Sequence, residues 1–307
     1  MTARRVVAGA AFAIATLAVS CANDRDAESG GRTSILPAFL DQRDNADASV
    51  PRVPFSPATP RLVPSVLHRV PHDTLAFTQG LVIHDGRLLE STGLEGHSGI
   101  RELDRTTGRV LRRSDVDAQE FGEGIAALGD RIYQLTWKTH RGYVYDARTF
   151  APVDSFTYDG EGWGLTSDGT HLYLSDGTSG VRVIDPKGFR VVRTIRVTEA
   201  ETPVHMLNEL EWVKGELWAN VYWTGLIARI DPATGHVVGW VDVRRLLPEG
   251  ERKRLESRGG VANGIAYDSA TGQLLVTGKY WPFVFQLDNA ALRPHRATAR
   301  VRSAPRE

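Results

Sequence analysis

The sequence predicts an all-β chain, a five-bladed β-propeller preceded by a signal peptide and a disordered tether. Three observations carry this. From residue 77 onward, a polar residue, usually a Gly and then an apolar residue recur five times. Each recurrence leads into a Gly-containing turn and alternating strands. The unit is roughly 40 to 55 residues long with three or four strands, which is the size of a propeller blade. Finally, no segment carries a long 3.6-residue apolar period, and the strongest helical candidate is short, around Val243 to Leu255. A parallel solenoid competes, but its repeats are usually shorter.

The N-terminus reads as an export signal. Arg4 and Arg5 precede an apolar run from Val6 to Val19, a basic region followed by a hydrophobic one. The run is shorter than the roughly 20 residues of a membrane span. It ends at Ala18-Val19-Ser20-Cys21. Two readings fit: a bacterial lipobox with Cys21 lipidated, or ordinary cleavage nearby with Cys21 incidental. Leu17 stands one place earlier than the usual Leu of a lipobox. The lipoprotein reading makes residues 1–21 a signal peptide and anchors the chain, exported to the periplasm or cell surface, by its lipid. Residues 22–61 carry Asp24, Arg25, Asp26, Glu28, Gly30-Gly31 and the prolines Pro51, Pro54, Pro57 and Pro60. Little periodic apolar content interrupts them, so they read as a disordered linker. The propeller is expected over 62–290, with 291–307 a C-terminal tail.

Bulk composition narrows the partners. The 307 residues hold 37 Lys+Arg and 37 Asp+Glu, a formal charge of zero. That supplies no basic field for nucleic acid and no polybasic membrane patch. With Cys21 the one cysteine, no intramolecular disulfide is possible.

The repeats begin at Gln79-Gly80-Leu81, Glu123-Gly124-Ile125, Trp163-Gly164-Leu165, Asn208-Glu209-Leu210 and Asn263-Gly264-Ile265. Turns follow at Asp85-Gly86, Gly129-Asp130, Asp168-Gly169, Lys214-Gly215 and Thr271-Gly272, and strands then start at Leu88, Ile132, Leu172, Leu217 and Leu274. Each unit closes with an alternating strand ending in Asp, at Asp104, Asp146, Asp185, Asp231 and Asp288. Alternation between Gly/Asp turns marks hairpins. A strand around Val66 to Val70 is placed to complete the last blade and close the ring.

Matching positions in a propeller form rings around one axis. The first ring is Gln79, Glu123, Trp163, Asn208 and Asn263. The Gly after it lets backbones crowd together. In the fourth repeat Glu209 replaces that Gly, and a charge there is costly unless paired. It reads either as a site group or as a solvated or salt-bridged channel carboxylate. The second ring is Gly93, Trp137, Gly177, Tyr222 and Lys279. The glycines are expected to open the rim, leaving two aromatics and one cation as a one-sided pocket. The plainer reading is that Trp137 and Tyr222 cap the blade tops. No histidine pair has metal-ligand spacing, and there is no Gly-x-Ser-x-Gly elbow, phosphate loop or GxGxxG.

At these residues the sequence resembles the plant-type glutaminyl-peptide cyclotransferases. Pro71-His72-Asp73, Phe77-Thr78-Gln79-Gly80-Leu81, Phe121-Gly122-Glu123-Gly124 and Leu135-Thr136-Trp137 carry the resemblance. So do Glu161-Gly162-Trp163-Gly164-Leu165, Leu207-Asn208-Glu209-Leu210-Glu211, Ala219-Asn220-Val221, Asn263-Gly264-Ile265-Ala266, and Thr277-Gly278-Lys279 with Trp281-Pro282. Together they span about residues 66 to 288 in the family's order. The resemblance implies a five-bladed propeller that converts the N-terminal glutamine of peptides or proteins to pyroglutamate and releases ammonia. It implies site positions at Phe77, Gln79, Phe121, Glu123, Trp137, Trp163 and Lys279, with Tyr222, beside Trp223, where the family has Trp.

In such a reaction the α-amine attacks the side-chain amide of its own residue. Glu123 is the expected acid/base. Lys279 is the expected oxyanion partner, helped by Gln79 or Asn263. Phe77, Phe121, Trp137, Trp163, Tyr222, Asn208, Glu209 and Asn263 are expected to bind substrate. No cofactor or catalytic metal is called for, though the channel leaves room for a structural ion, and a monomer is expected. Two other classes remain open: a non-catalytic surface propeller binding peptide or glycan, and a metal-dependent propeller lactonase with Asn208, Glu209 and Asn263 around an axial calcium.

Overall fold

The computed structural model describes residues 53–288. The expected signal segment with Cys21, the tether up to residue 52 and the 291–307 tail lie outside the described residues. Five blades, each built on four antiparallel strands, surround one axis. Their innermost strands are Thr78–His84, Gly122–Leu128, Leu165–Ser167, Leu207–Val213 and Ala262–Asp268. In each of the first four blades the chain runs outward strand by strand. The fifth has three strands of its own, and its outer strand is Val66–Pro71, paired antiparallel with Phe283–Leu287. The ring is thus closed by a strand that precedes blade one in the chain, where the sequence places a strand around Val66 to Val70. A second fastener lies next to it: Arg61–Leu62 pairs in parallel with Val237–Asp242, the outer strand of blade four.

Each blade interface has its own apolar layer. Val82, Leu89 and Ile100 of blade one meet Ile125, Ile132 and Tyr145 of blade two. Equivalent layers sit at the other four seams. Burying one such aliphatic side chain contributes about 1.5–3 kcal/mol, so the blades are held by repeated moderate terms. Outer strands such as Val110–Asp115 and Arg190–Arg196 are mostly exposed and rich in Arg, which discourages edge-to-edge pairing.

Near the axis the inner strands crowd. A Cβ at Gly80 would lie 2.7 Å from the Ile125 nitrogen, so the repeated Gly is a packing requirement. Two expectations need adjustment. The folded part begins before residue 62: Phe55 packs edge-on against Trp240 at 5.5 Å, and Thr59 Oγ1 donates to Glu199 Oε1 at 2.6 Å. The proline content suggests a tether, but one aromatic ring and one buried carboxylate suffice to hold the segment down. The helix is also shorter than Val243–Leu255. It runs Glu249–Glu256, because Pro248 sits at its N-cap in extended backbone (φ −55°, ψ 143°), while Leu246 and Leu247 are buried in the turn before it.

Candidate active site

Bulges at the tops of four inner strands throw the first-ring side chains out of the ladder. Register shifts fall between Thr78 and Gly80, Gly122 and Ile125, Leu207 and Leu210, and Ala262 and Ile265. Such bulges re-aim side chains beside active sites. The second ring is tied to the first by one repeated backbone bond. The N–H groups of Gly93, Trp137, Tyr222 and Lys279 donate to the carbonyls of Phe77, Phe121, Met206 and Val261 at 2.8–2.9 Å. Blade three departs from this pattern, with Gly177 donating to Leu207 instead.

The two rings meet in a buried polar relay. Lys279 Nζ donates to Gln79 Oε1 at 2.7 Å, and Asn263 Nδ2 donates to the same oxygen at 3.0 Å. Gln79 Nε2 in turn donates to Glu123 Oε1 at 3.0 Å. The Gln79 amide therefore has a single orientation, carbonyl toward the cation and amino group toward the carboxylate. Burial pushes the Glu123 carboxyl well above its ordinary range; Lys279 opposes this and Glu161 adds to it. Burial pulls the Lys279 ammonium down to about 8, with Glu123 opposing. Burial thus displaces the two groups in opposite directions, the carboxyl upward and the ammonium downward, each toward its neutral form. The amide oxygens of Asn208 and Asn263 are buried without a hydrogen-bond donor, acceptors that an incoming N–H group can meet.

Aromatic rings wall this relay. Lys279 Nζ lies 4.3 Å from the Phe77 ring centre and 5.2 Å from that of Tyr222. Phe77, Phe121 and Trp137 follow one another edge to face at 5.9 and 5.7 Å. On the other side Trp163 meets Tyr222 at 5.9 Å, and Tyr222 meets Trp223 at 5.4 Å. Between Trp137 and Trp163 stands Glu161, whose Oε2 accepts both indole N–H groups at 2.8 Å each. The result is an aromatic-walled polar cluster with hydrogen-bond donors on the side of blades five and one and carboxylates on the side of blades two and three.

Residues 40–288 match the family described as Glutamine cyclotransferase. The chain belongs to the glutamine cyclotransferase family. It is 43% identical over 227 residues to a glutaminyl-peptide cyclotransferase of Arabidopsis thaliana, covering 72% of this chain and 70% of that one. The solved structure of Myxococcus xanthus glutaminyl cyclase superposes with a TM-score of 0.68 at 33% identity, over 75% of this chain and 97% of that one.

Within this cyclotransferase scaffold the sequence-derived site residues divide. Gln79, Glu123, Asn263 and Lys279 converge, with Phe77, Phe121, Trp137, Trp163 and Tyr222 around them. Asn208 belongs to the same ring and is buried. Glu209 does not join it. Its two oxygens accept the backbone N–H groups of Leu81 and Ile265, at 3.2 and 3.0 Å, one level below Gln79 and Asn263. Burial pushes its carboxyl well above the ordinary range, with Glu211 adding to this. It stitches blade four to blades one and five where a Gly would leave a gap. The second-ring glycines do not open the rim either. A Cβ on Gly177 would lie 2.6 Å from the Trp163 ring, and one on Gly93 would overlap the Phe121 ring. Each glycine makes room for an aromatic side chain from the first-ring segment. Sequence reasoning left two sets unassigned. One is Glu161, which its neighbour Trp163 overshadows in the motif. The other is a buried group behind Gln79, formed by His72, Glu90, Arg101 and Asp73. Its signal was His72-Asp73 just ahead of Phe77.

Proposed function

We propose that this chain cyclises the N-terminal glutamine of peptides and proteins to pyroglutamate and releases ammonia. The observation that carries this is the Lys279–Gln79–Glu123 relay inside an aromatic pocket. The substrate folds back so that its α-amine lies against its own Cδ, and proximity supplies much of the rate. Glu123, as carboxylate, takes a proton from the amine as the new N–Cδ bond forms. Negative charge develops on the amide oxygen, and Lys279, itself fully buried, stabilises it. When the Cδ–N bond to the amide nitrogen breaks, Glu123 returns the proton and ammonia leaves. The carboxylate ends as it began, so no oxidant, metal or co-reactant enters the balance.

The test is ammonia release from a Gln-initiated peptide, with the loss of one ammonia seen in the product's mass. Peptide binding without ammonia would instead favour a binding propeller. The lactonase alternative has little support, since Glu209 commits both oxygens to backbone amides. Among the described residues no three His, Cys, Asp or Glu side chains group as metal ligands. Activity unchanged by a chelator is the expected outcome. We further infer an exported, lipid-anchored monomer, supported by Arg4-Arg5, the apolar run and Cys21. Fatty-acid labelling lost on Cys21→Ser, and a single-chain mass in solution, test that.

A further inference from the structure

The pocket has one charged group that this reaction scheme leaves without a task. Glu161 lies in the short connection between Pro152–Thr157 and Leu165–Ser167. Its backbone is pinned by Arg182, which donates from Nη2 to the Glu161 carbonyl at 2.9 Å. Its Oε2 takes two indole N–H groups. Its Oε1 takes no hydrogen bond among the described residues, and the side chain is only half-buried. A carboxylate held by one oxygen, with no donor on the other, is a ready acceptor for a cation.

We propose that Glu161 is the receptor for the α-ammonium group of the incoming peptide and delivers that group to Glu123. The inference rests on the cyclotransferase reading and deepens it. An N-terminal glutamine has two features to recognise, its carboxamide and its amine. The carboxamide oxygen needs donors, and these are Lys279 and Asn263 on the side of blades five and one. The amine needs acceptors, and these are Glu161 and Glu123 on the opposite side. Lys279 repels an ammonium ion and so enforces this orientation. An α-amino group has a pKa of about 7.7–8.0, so near neutrality it arrives mostly charged. Glu123 is poorly placed to receive a cation directly from water, because it is buried at the foot of the relay. Glu161, at the mouth, is reachable. The charged groups facing it are Glu123, Arg182, Lys138 (3.7 Å from the Trp137 ring centre) and, across the pocket, Lys279. Asp176 lies nearby as well, but its Oδ2 is paired with Arg182 Nη2 at 3.5 Å, which leaves Glu161 and Glu123, among the described residues, to attract an ammonium.

The experiment is steady-state ammonia release by the full chain from a Gln-initiated peptide, between about pH 6 and pH 9.5 to bracket the amine. Wild-type protein that releases no ammonia overturns the cyclotransferase reading and this inference with it. Given activity, Glu161→Gln keeps the shape and an acceptor oxygen for the indoles. KM is expected to rise about tenfold near pH 6.5, the size of one lost charged hydrogen bond, with kcat changed less than about threefold. The two KM values should converge near pH 9, where the amine is neutral. Glu161→Ala, which removes the indole acceptor too, should alter tryptophan fluorescence where Glu161→Gln does not. A KM unchanged at every pH, a deficit independent of pH, or a loss confined to kcat would make Glu161 only a pin for the tryptophans, with cyclisation itself intact. Should the variant fail to fold, the unaltered protein still decides: propylammonium is expected to compete with the peptide and 1-propanol not, and equal inhibition by the two overturns the proposal.

Discussion

Two buried acid–base sets flank the strand Thr78–His84, and they are built on opposite principles. Behind it, Glu90 is paired directly. His72 Nε2 meets its Oε1 at 3.0 Å, Arg101 Nε its Oε2 at 2.6 Å, and Thr78 Oγ1 donates at 2.6 Å. His72 Nδ1 faces the Trp281 carbonyl at 2.8 Å. With an acceptor at each ring nitrogen, His72 carries both protons and is an imidazolium. Burial opposes the Glu90 charge, yet His72 and Arg101 hold the carboxyl down at about 2. In front of the strand, Glu123 and Lys279 are equally buried, but they meet through the neutral amide of Gln79. Here desolvation wins: Glu123 is pushed up and Lys279 down to about 8. Direct pairing fixes charge and so serves structure. Pairing relayed through an amide fixes charge less firmly, which suits the proton transfers of the proposed reaction. One residue of sequence separates the two, since Thr78 faces the first set and Gln79 the second.

The largest expected effect breaks the front set. Glu123→Gln is nearly isosteric and should fold, bind peptide and cyclise it at least ~10²-fold more slowly. Melting temperature and ammonia release on one sample check this; a stable variant with full turnover removes Glu123 from the mechanism. Lys279→Met removes the charge at similar volume. Turnover should fall on the order of 10²-fold, as for a lost oxyanion partner, while a merely structural Lys279 would leave kcat unchanged and shift only the melting temperature.

Breaking the rear set should do the reverse. Glu90→Gln leaves His72 buried without its anion and Arg101 with Asp73 alone, at a cost of about 3–5 kcal/mol, with specific activity per folded molecule held within a few-fold. The pH dependence sharpens the contrast. Glu90 has a folded pKa of about 2 against an ordinary 4.5, so its stabilisation is present above 4.5 and is lost as pH falls toward 2. His72 is raised above 6.5, so its share is present below 6.5 and is lost as pH climbs through the folded value. Denaturant melts across pH should show both limbs in wild type. An acid limb of equal size in Glu90→Gln would assign it elsewhere. The smallest effect belongs to Glu209→Gln, where one of two backbone N–H groups loses its acceptor. About 1–2 kcal/mol of stability should go, and turnover should stay within about threefold; a large loss of kcat would return Glu209 to the chemistry.

The ring scheme was legible in the sequence because a propeller converts equal repeat position into equal distance from an axis. Gln79, Glu123, Asn263 and Lys279 could therefore be grouped across 200 residues of separation. The same logic failed at Glu209, because the bulge between Leu207 and Leu210 sends it down the channel rather than across the mouth. It failed again at Gly93 and Gly177, where a missing side chain reads as open space but is filled from elsewhere.

By itself the sequence determined the blade count, the closing strand and the identity of the groups near the axis, because strand alternation and turn glycines are local signals repeated five times. Only the tertiary structure decided which of those groups touch. That Gln79 lies between Lys279 and Glu123, that one oxygen of Glu161 holds two tryptophans, and that Glu90 is charged while Glu123 is poised depends on side chains from different blades meeting at about 3 Å in the absence of water. Hydrogen bonding and desolvation act over such distances, and no pattern along the chain records them.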